Sequence, residues 1–277
     1  MTNKPAGRPL ELTPGYRAGA GTPVLLLHGL GATWRIWSPV LPYLEPHHTV
    51  LAPTLPGHGG GRPLDPVVVP SISALADWVE TELDRLGIVR AHLVGNSLGG
   101  WIAIELARRG RGSSLVLFSP AGAWKSQRSI NWRATAIRVS ASGLARLAPH
   151  ADAVASSRLL RWLVLAAQVA HPDRVPAAQF GAFIRSSGVA PAVVPLARTL
   201  PRRQVDPLPP EREYPVRLVW GGSDRVLSLK GFGIPMLQRL PGAEMTRLPG
   251  VGHIPMYDDP AGVARHILEV AETVDGR

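Results

Sequence analysis

The 277-residue chain contains no cysteine. That excludes disulfides, thiolate metal sites and a cysteine nucleophile. Lysine is nearly absent too: three residues against 27 arginines, with 20 acidic residues and a net charge of +10. The basic balance therefore reflects in part a compositional habit for arginine, and no nucleic-acid reader motif accompanies it, so nucleic-acid binding is not expected. Phenylalanine and tyrosine are sparse, four each, while tryptophan is frequent at eight. The longest apolar helix-like run, 163–170, is far shorter than the roughly 20 residues that span a bilayer. The first residues, MTNKPAGR, lack the apolar core of a signal peptide. A cytoplasmic location is expected from this, with one large core for a chain of this length. Repeats and low-complexity tracts do not stand out.

The most informative feature present is Gly95-Asn96-Ser97-Leu98-Gly99. An apolar strand-like run, Ala91 to Val94, precedes it, and a helix former, Trp101 to Arg109, follows. A serine on a sharp strand-to-helix turn has its hydroxyl pushed outward, and glycines are the residues that fit on either side. The following helix points its free N–H groups at any oxyanion formed there.

A serine hydroxyl needs a base, and the base needs an acid to hold its tautomer. Of nine histidines, His253 has the right setting. It follows a strand-like run, Glu244 to Leu248, and a Pro249–Gly252 turn. That is the carboxyl end of a strand, where open α/β sheets place their chemistry. Asp224 occupies the comparable loop after the strand-like Val216–Trp220. The loop after Phe118, Ser119-Pro120-Ala121, offers no carboxylate, which leaves Asp224 as the acid. Ser97, Asp224 and His253 are expected to form one hydrogen-bonded chain.

These residues resemble the α/β-hydrolase superfamily with a serine nucleophile, from about Thr22 to the C-terminus. Val24 to Gly31 resembles the family's strand and oxyanion loop, Leu55-Pro56-Gly57-His58-Gly59 its next loop, and the order Ser, Asp, His is the family's. The resemblance implies a mostly parallel central sheet with helices on both faces and an oxyanion hole made by the backbone N–H groups of Leu30 and Leu98. His28 is expected to be a buried brace for that loop. Thr54 departs from the pattern, since relatives carry an aspartate there that braces the loop.

Strand-like and helix-like segments alternate outside the middle of the chain, as in a parallel α/β sheet. Helices are expected near Trp37–Leu44, Ser71–Leu86, Lys230–Leu240 and Pro260–Val274. Residues 1–122 and 214–277 are assigned to the core, and 123–213 to an all-helical insertion resembling a cap. Within it helices are expected at Trp132–Arg146, Ala153–Ala170, Ala177–Ser186 and Ala192–Leu200. One lysine and twelve arginines against five acids give this segment eight of the chain's ten surplus positive charges. Three readings stay open: a solvated surface, which ranks first; steering of an anionic substrate; and a membrane contact through Leu159, Leu160, Trp162, Leu163 and Leu165. The last ranks lowest, because such residues are expected to pack onto the core.

The function expected is hydrolysis of a carboxylic ester or thioester of a small-to-medium apolar acyl group, with no cofactor and no metal. Trp34, Trp101, Trp124, Trp220 and Ile254 are candidate pocket residues. Two alternatives are carried: a carbon–carbon bond hydrolase of diketone-type ring-fission products, whose members often have Trp where Ile254 stands, and a non-catalytic ligand receptor on the same fold. Dehalogenase and epoxide hydrolase chemistry is disfavoured, because relatives of those kinds place aspartate where Ser97 stands. Substrate identity and oligomeric state are not readable from the sequence.

Overall fold

The structure is a computed structural model that describes residues 10–276. Part of the N-terminal lead, Met1 to Gly21, in which one or two edge strands are expected, lies outside the described residues. Among the described residues seven strands form one sheet: β1 (Gly15–Ala18), β2 (Pro23–Leu27), β3 (Thr49–Pro53), β4 (Ala91–Asn96), β5 (Gly112–Phe118), β6 (Val216–Gly221) and β7 (Glu244–Leu248). Their order is β1-β3-β2-β4-β5-β6-β7, with β1 antiparallel to β3 and the rest parallel.

The central strands are apolar on both sides because both faces are covered. Leu25 and Leu27 face one core, shared with helices α2 (Ile72–Arg85) and α3 (Leu98–Arg108). Val24 and Leu26 face the other, under α1 (Leu41–Leu44) and α11 (Pro260–Asp275). Ser71 caps α2 by accepting from Ala74 N at 3.2 Å, as expected for an N-cap serine.

β2 and β4 are neighbours, yet the chain leaves β2 toward β3 on one side and leaves β4 toward β5 on the other. This reversal opens a crevice beyond their carboxyl ends, where ligands of open α/β sheets bind. The loops carrying Leu30 and Ser97 flank it.

Between β5 and β6 the described chain holds helices and no strand: α4 (Gln127–Leu147), α5 (Ala151–Ser156), α6 (Arg158–Leu165), α7 (Ala177–Ser187) and α8 (Val193–Thr199). A small core of its own joins α5, α6 and α7 through Val154, Leu165, Phe180 and Ile184. Ile254 and Tyr257 pack against both this cluster and the main core.

Several expectations are corrected. The single helix over Ala153–Ala170 is two helices, broken at Ser157, whose backbone is extended and whose hydroxyl caps α6 by accepting from Leu160 N at 3.3 Å. Helix α4 starts at Gln127 rather than Trp132, because Ser126 caps it there. The Trp37–Leu44 helix is a 3-10 turn, Trp34–Trp37, followed by α1. Lys230–Leu240 begins as a π turn, Leu229–Gly233, and continues only as the short α9 (Ile234–Leu237). Gly233 in that turn lies so close to Trp220 that a Cβ there would stand 3.0 Å from the indole. Finally, Leu159, Leu160, Trp162 and Leu163 do not pack onto the core. In α6 only Leu165 is buried, since the side turned to the insert's core carries Leu165 while these four lie outward. Among the described residues no helix is long and apolar enough to cross a membrane.

Candidate active site

Ser97 stands between β4 and α3 with φ 53° and ψ −116°. This is a left-handed conformation that a non-glycine residue adopts only when its surroundings hold it. Ser97 N donates to Phe118 O at 3.1 Å, and Ser97 O accepts from Gly100 N at 3.1 Å and Ala121 N at 2.9 Å. The flanking glycines are steric requirements. A Cβ on Gly95 would lie 2.3 Å from Gly99 O, and one on Gly99 would lie 2.1 Å from Leu27 O. Gly95 therefore lets the turn close on the start of α3, and Gly99 lets it approach β2. Leu98 and Gly99 open α3, so their N–H groups have no intrahelical acceptor.

His253 and Asp224 meet across two loops. His253 Nδ1 lies 2.8 Å from Asp224 Oδ2, and both side chains are buried. Asp224 Oδ1 accepts from Val226 N at 2.8 Å and Leu227 N at 2.7 Å. A carboxylate so placed only accepts, so it takes the Nδ1 proton of His253 and leaves the lone pair on Nε2. Asn96, the residue before Ser97, donates from Nδ2 to the carbonyl oxygens of His253 (2.9 Å) and Phe118 (3.0 Å). It thus fixes the His253 backbone against the strand that carries Ser97. The expected hydrogen-bonded chain is only partly formed. The Asp224–His253 link is made, whereas Ser97 Oγ has no hydrogen bond to a described residue. Such nucleophile–base contacts are commonly loose before substrate closes the site.

The loop after β2 lies against Ser97, since a Cβ on Gly29 would come within 3.3 Å of Ser97 Cβ. Gly31 turns that loop with φ 76°. His28 holds it from below. Leu55 N donates to His28 Nε2 at 2.9 Å, so the ring proton is on Nδ1, which donates to Gly29 O at 2.8 Å. Burial, followed by the nearby His58, pulls the His28 pKa down to about 3, so the ring is a neutral brace. His58, 5.0 Å away ring to ring, bonds through Nδ1 to Pro56 O at 3.1 Å, and burial brings its pKa down to about 4. Thr54 braces the loop with its hydroxyl. It donates to Thr13 O at 3.2 Å and accepts from Trp34 N at 3.5 Å.

The candidate pocket tryptophans are all buried. Trp220 is sealed in the core with its N–H on Leu227 O at 2.9 Å, so it is a packing residue rather than an accessible wall. Trp34 donates to Thr13 Oγ1 and stacks on Tyr16. Trp101 fills the space over Gly122, and Trp124 donates to Gln127 Oε1 at 3.1 Å. Ile254, half-buried beside His253, donates its N–H to Gln168 O of the insert at 2.8 Å. Leu98 is buried and Leu30 half-buried at the edge of the same core.

Sequence reading missed one anchor. Asp258, in α10 (Pro255–Asp258), is buried and accepts three backbone N–H bonds at 2.8 Å each: Gly252 and Ala170 on Oδ2, His171 on Oδ1. One carboxylate therefore ties the His253 loop to the insert. Its neighbour Asp259 merely caps α11 through Gly262 N. The Asp259-Pro260 step marks Asp259 as the cap of α11, but nothing local shows what Asp258 binds.

With this geometry in view, comparison with known proteins is direct. The sequence model of the alpha/beta hydrolase family matches residues 24–266, and the chain belongs to that family. Among curated relatives, the epoxide hydrolase EphH of Mycobacterium tuberculosis is 34% identical over 213 residues, covering 73% of this chain and 95% of its own. A pimeloyl-[acyl-carrier protein] methyl ester esterase of Aromatoleum aromaticum is 29% identical over 258 residues, covering 89% and 97%. Among solved structures, a thermophilic esterase from Thermogutta terrifontis superposes with a TM-score of 0.72 at 23% identity, over 94% of this chain and 93% of that one. At that identity the last likeness speaks for the fold alone.

Proposed function

We propose that this hydrolase cleaves a carboxylic ester or thioester with an apolar acyl group of small to medium size. Ser97 Oγ attacks the carbonyl carbon while His253 Nε2 takes its proton. Asp224 holds the imidazole and balances the imidazolium that forms. The N–H groups of Leu98 and Leu30 receive the oxyanion in the crevice beyond β2 and β4. The tetrahedral intermediate collapses as His253 gives its proton to the departing alcohol or thiol. Water, deprotonated by His253, then attacks the acyl-enzyme and returns the free acid and Ser97. Residues 123–213 act as a cap that excludes water and shapes the acyl site, anchored to the His253 loop through Asp258 and Ile254.

The observation that carries this reading is the buried Asp224–His253 hydrogen bond beside a serine held at φ 53°. The relatives differ by name in the bond they act on, an epoxide in one and a methyl ester in the other. Ser97 favours acyl transfer for this chain, since covalent opening of an epoxide by such a site calls for a carboxylate at that position. The test is a panel of acyl esters, acyl thioesters, epoxides and dienone acids, each run against wild type and Ser97→Ala. Ester or thioester turnover that disappears in the variant supports the reading. Turnover confined to epoxides or dienone acids, or none above the variant on any substrate, overturns it.

A further inference from the structure

Helix α6 presents its apolar side to solvent. Leu159, Trp162 and Leu163, spaced i, i+3 and i+4, fall on one face and are 65%, 54% and 57% exposed. Leu160 beside them is also exposed, and Arg158 borders the face. An apolar stripe at this spacing is the part of a helix that ordinarily seeks cover. Helix α4 repeats the theme. Arg128, Trp132, Val139 and Arg146 are four and seven residues apart and share one side, with Trp132 and Val139 both exposed.

The charge carried by these two helices is of one sign. Helices α4 and α6 together hold six arginines and no acidic residue. None of the six forms an ion pair among the described residues. Some arginines elsewhere are matched, Arg109 with Asp77, Glu80 and Glu105, and Arg217 with Glu244 and Glu269, so carboxylate pairing is available in this fold and is not used on these two helices. Arg133 and Arg161 turn toward the protein, the first over the Phe232 ring and the second onto Ala155 O. Arg128, Arg138, Arg146 and Arg158 are left with no carboxylate partner.

We infer that α4 and α6 dock on the surface of an anionic phospholipid bilayer, with Trp162, Leu159 and Leu163 entering the headgroup–acyl boundary and the unpaired arginines meeting lipid phosphates. This combination of exposed tryptophan and leucine with basic residues is what an interfacial helix requires. A second copy of the chain is a poor occupant, because it would bring another +10 chain, with its own eight surplus charges, against the first. The inference does not depend on which bond the enzyme cleaves.

The test is co-sedimentation of the full chain with vesicles of equimolar phosphatidylglycerol and phosphatidylcholine, and with phosphatidylcholine alone. Two variants accompany it: Trp162→Ser with Leu163→Ser, and Arg128→Gln with Arg146→Gln and Arg158→Gln. All five positions are exposed, and an unchanged thermal midpoint verifies folding of both variants. Binding to the anionic vesicles at least tenfold tighter than to the neutral ones, reduced tenfold or more in each variant, is the expected result. No vesicle binding, or binding indifferent to Trp162 and Leu163, overturns it. A wild-type dimer that becomes monomeric in the Trp162→Ser, Leu163→Ser variant would also overturn it, by assigning the face to a second copy.

Discussion

Asn96 Nδ2 donates to the backbone carbonyl of His253 at 2.9 Å, so the residue beside Ser97 grips the loop that carries the histidine. Its second bond, to Phe118 O, ties the same amide to β5. Asn96→Ala leaves two buried carbonyls without this donor, and a loss of about 1–3 kcal/mol of stability is expected. The His253 loop also loosens, so kcat should fall more than KM changes. Urea unfolding and steady-state kinetics on the best ester measure both. An unchanged unfolding midpoint together with unchanged kcat would show that the clamp does nothing.

Ser97→Ala should fold as wild type and lose turnover by about 10³-fold or more, since residues of such a set act as a unit. An organophosphonate should label Ser97 as activity is lost. Peptide mapping decides the matter: full inhibition with Ser97 unmodified would point to another nucleophile.

Asp258→Asn replaces one acceptor oxygen with an amide facing a backbone N–H. At least one charged hydrogen bond is lost, for which roughly 1.5–3 kcal/mol is expected. The change is local as well as global. Amide exchange at Ala170, His171 and Gly252 should accelerate together, because one carboxylate holds all three. Faster exchange at Gly252 with Ala170 and His171 still protected would separate the His253 loop from the insert and refute the shared anchor.

His28 and His58 give a signed pH dependence. Burial lowers their folded pKa values to about 3 and about 4, below the ordinary 6.5 of an unfolded chain. Between pH 6.5 and about 4 the unfolded state therefore binds up to two protons that the folded state does not. Stability from these residues is fully present above pH 6.5 and declines as pH falls, by up to about 2.7 kcal/mol per pH unit for the pair. Imidazole NMR should find both rings neutral at pH 5, and unfolding free energy should decrease from pH 7 to pH 5. Either ring titrating near 6.5 would contradict the neutral-brace assignment.

What the sequence by itself determined is what depends on neighbours along the chain. The 95–99 turn is legible because strand, glycine, serine, glycine and helix are consecutive, and the clash that demands Gly95 arises within that same turn, although the one that demands Gly99 comes from Leu27 O on β2. The serine, aspartate and histidine could be named because each sits on a loop at a strand's end, a position visible in local pattern. The family followed from those motifs, and residues 24–266 match it. The tertiary structure alone decided the rest. Ser157 rather than a continuous helix, the π turn near Trp220 and the three partners of Asp258 each turn on packing or on a cap whose competing helix is equally good locally. Asn96 and His253 are 157 residues apart, and Asp258 and Ala170 are 88 apart. Hydrogen-bond geometry over such separations is set by how the sheet and the insert close on each other. The outward face of α6 shows the same limit from the other side. Its periodicity marks an apolar stripe correctly, but which side of the helix meets the protein is fixed by Leu165 and the cluster it joins, and no spacing along the chain contains that information.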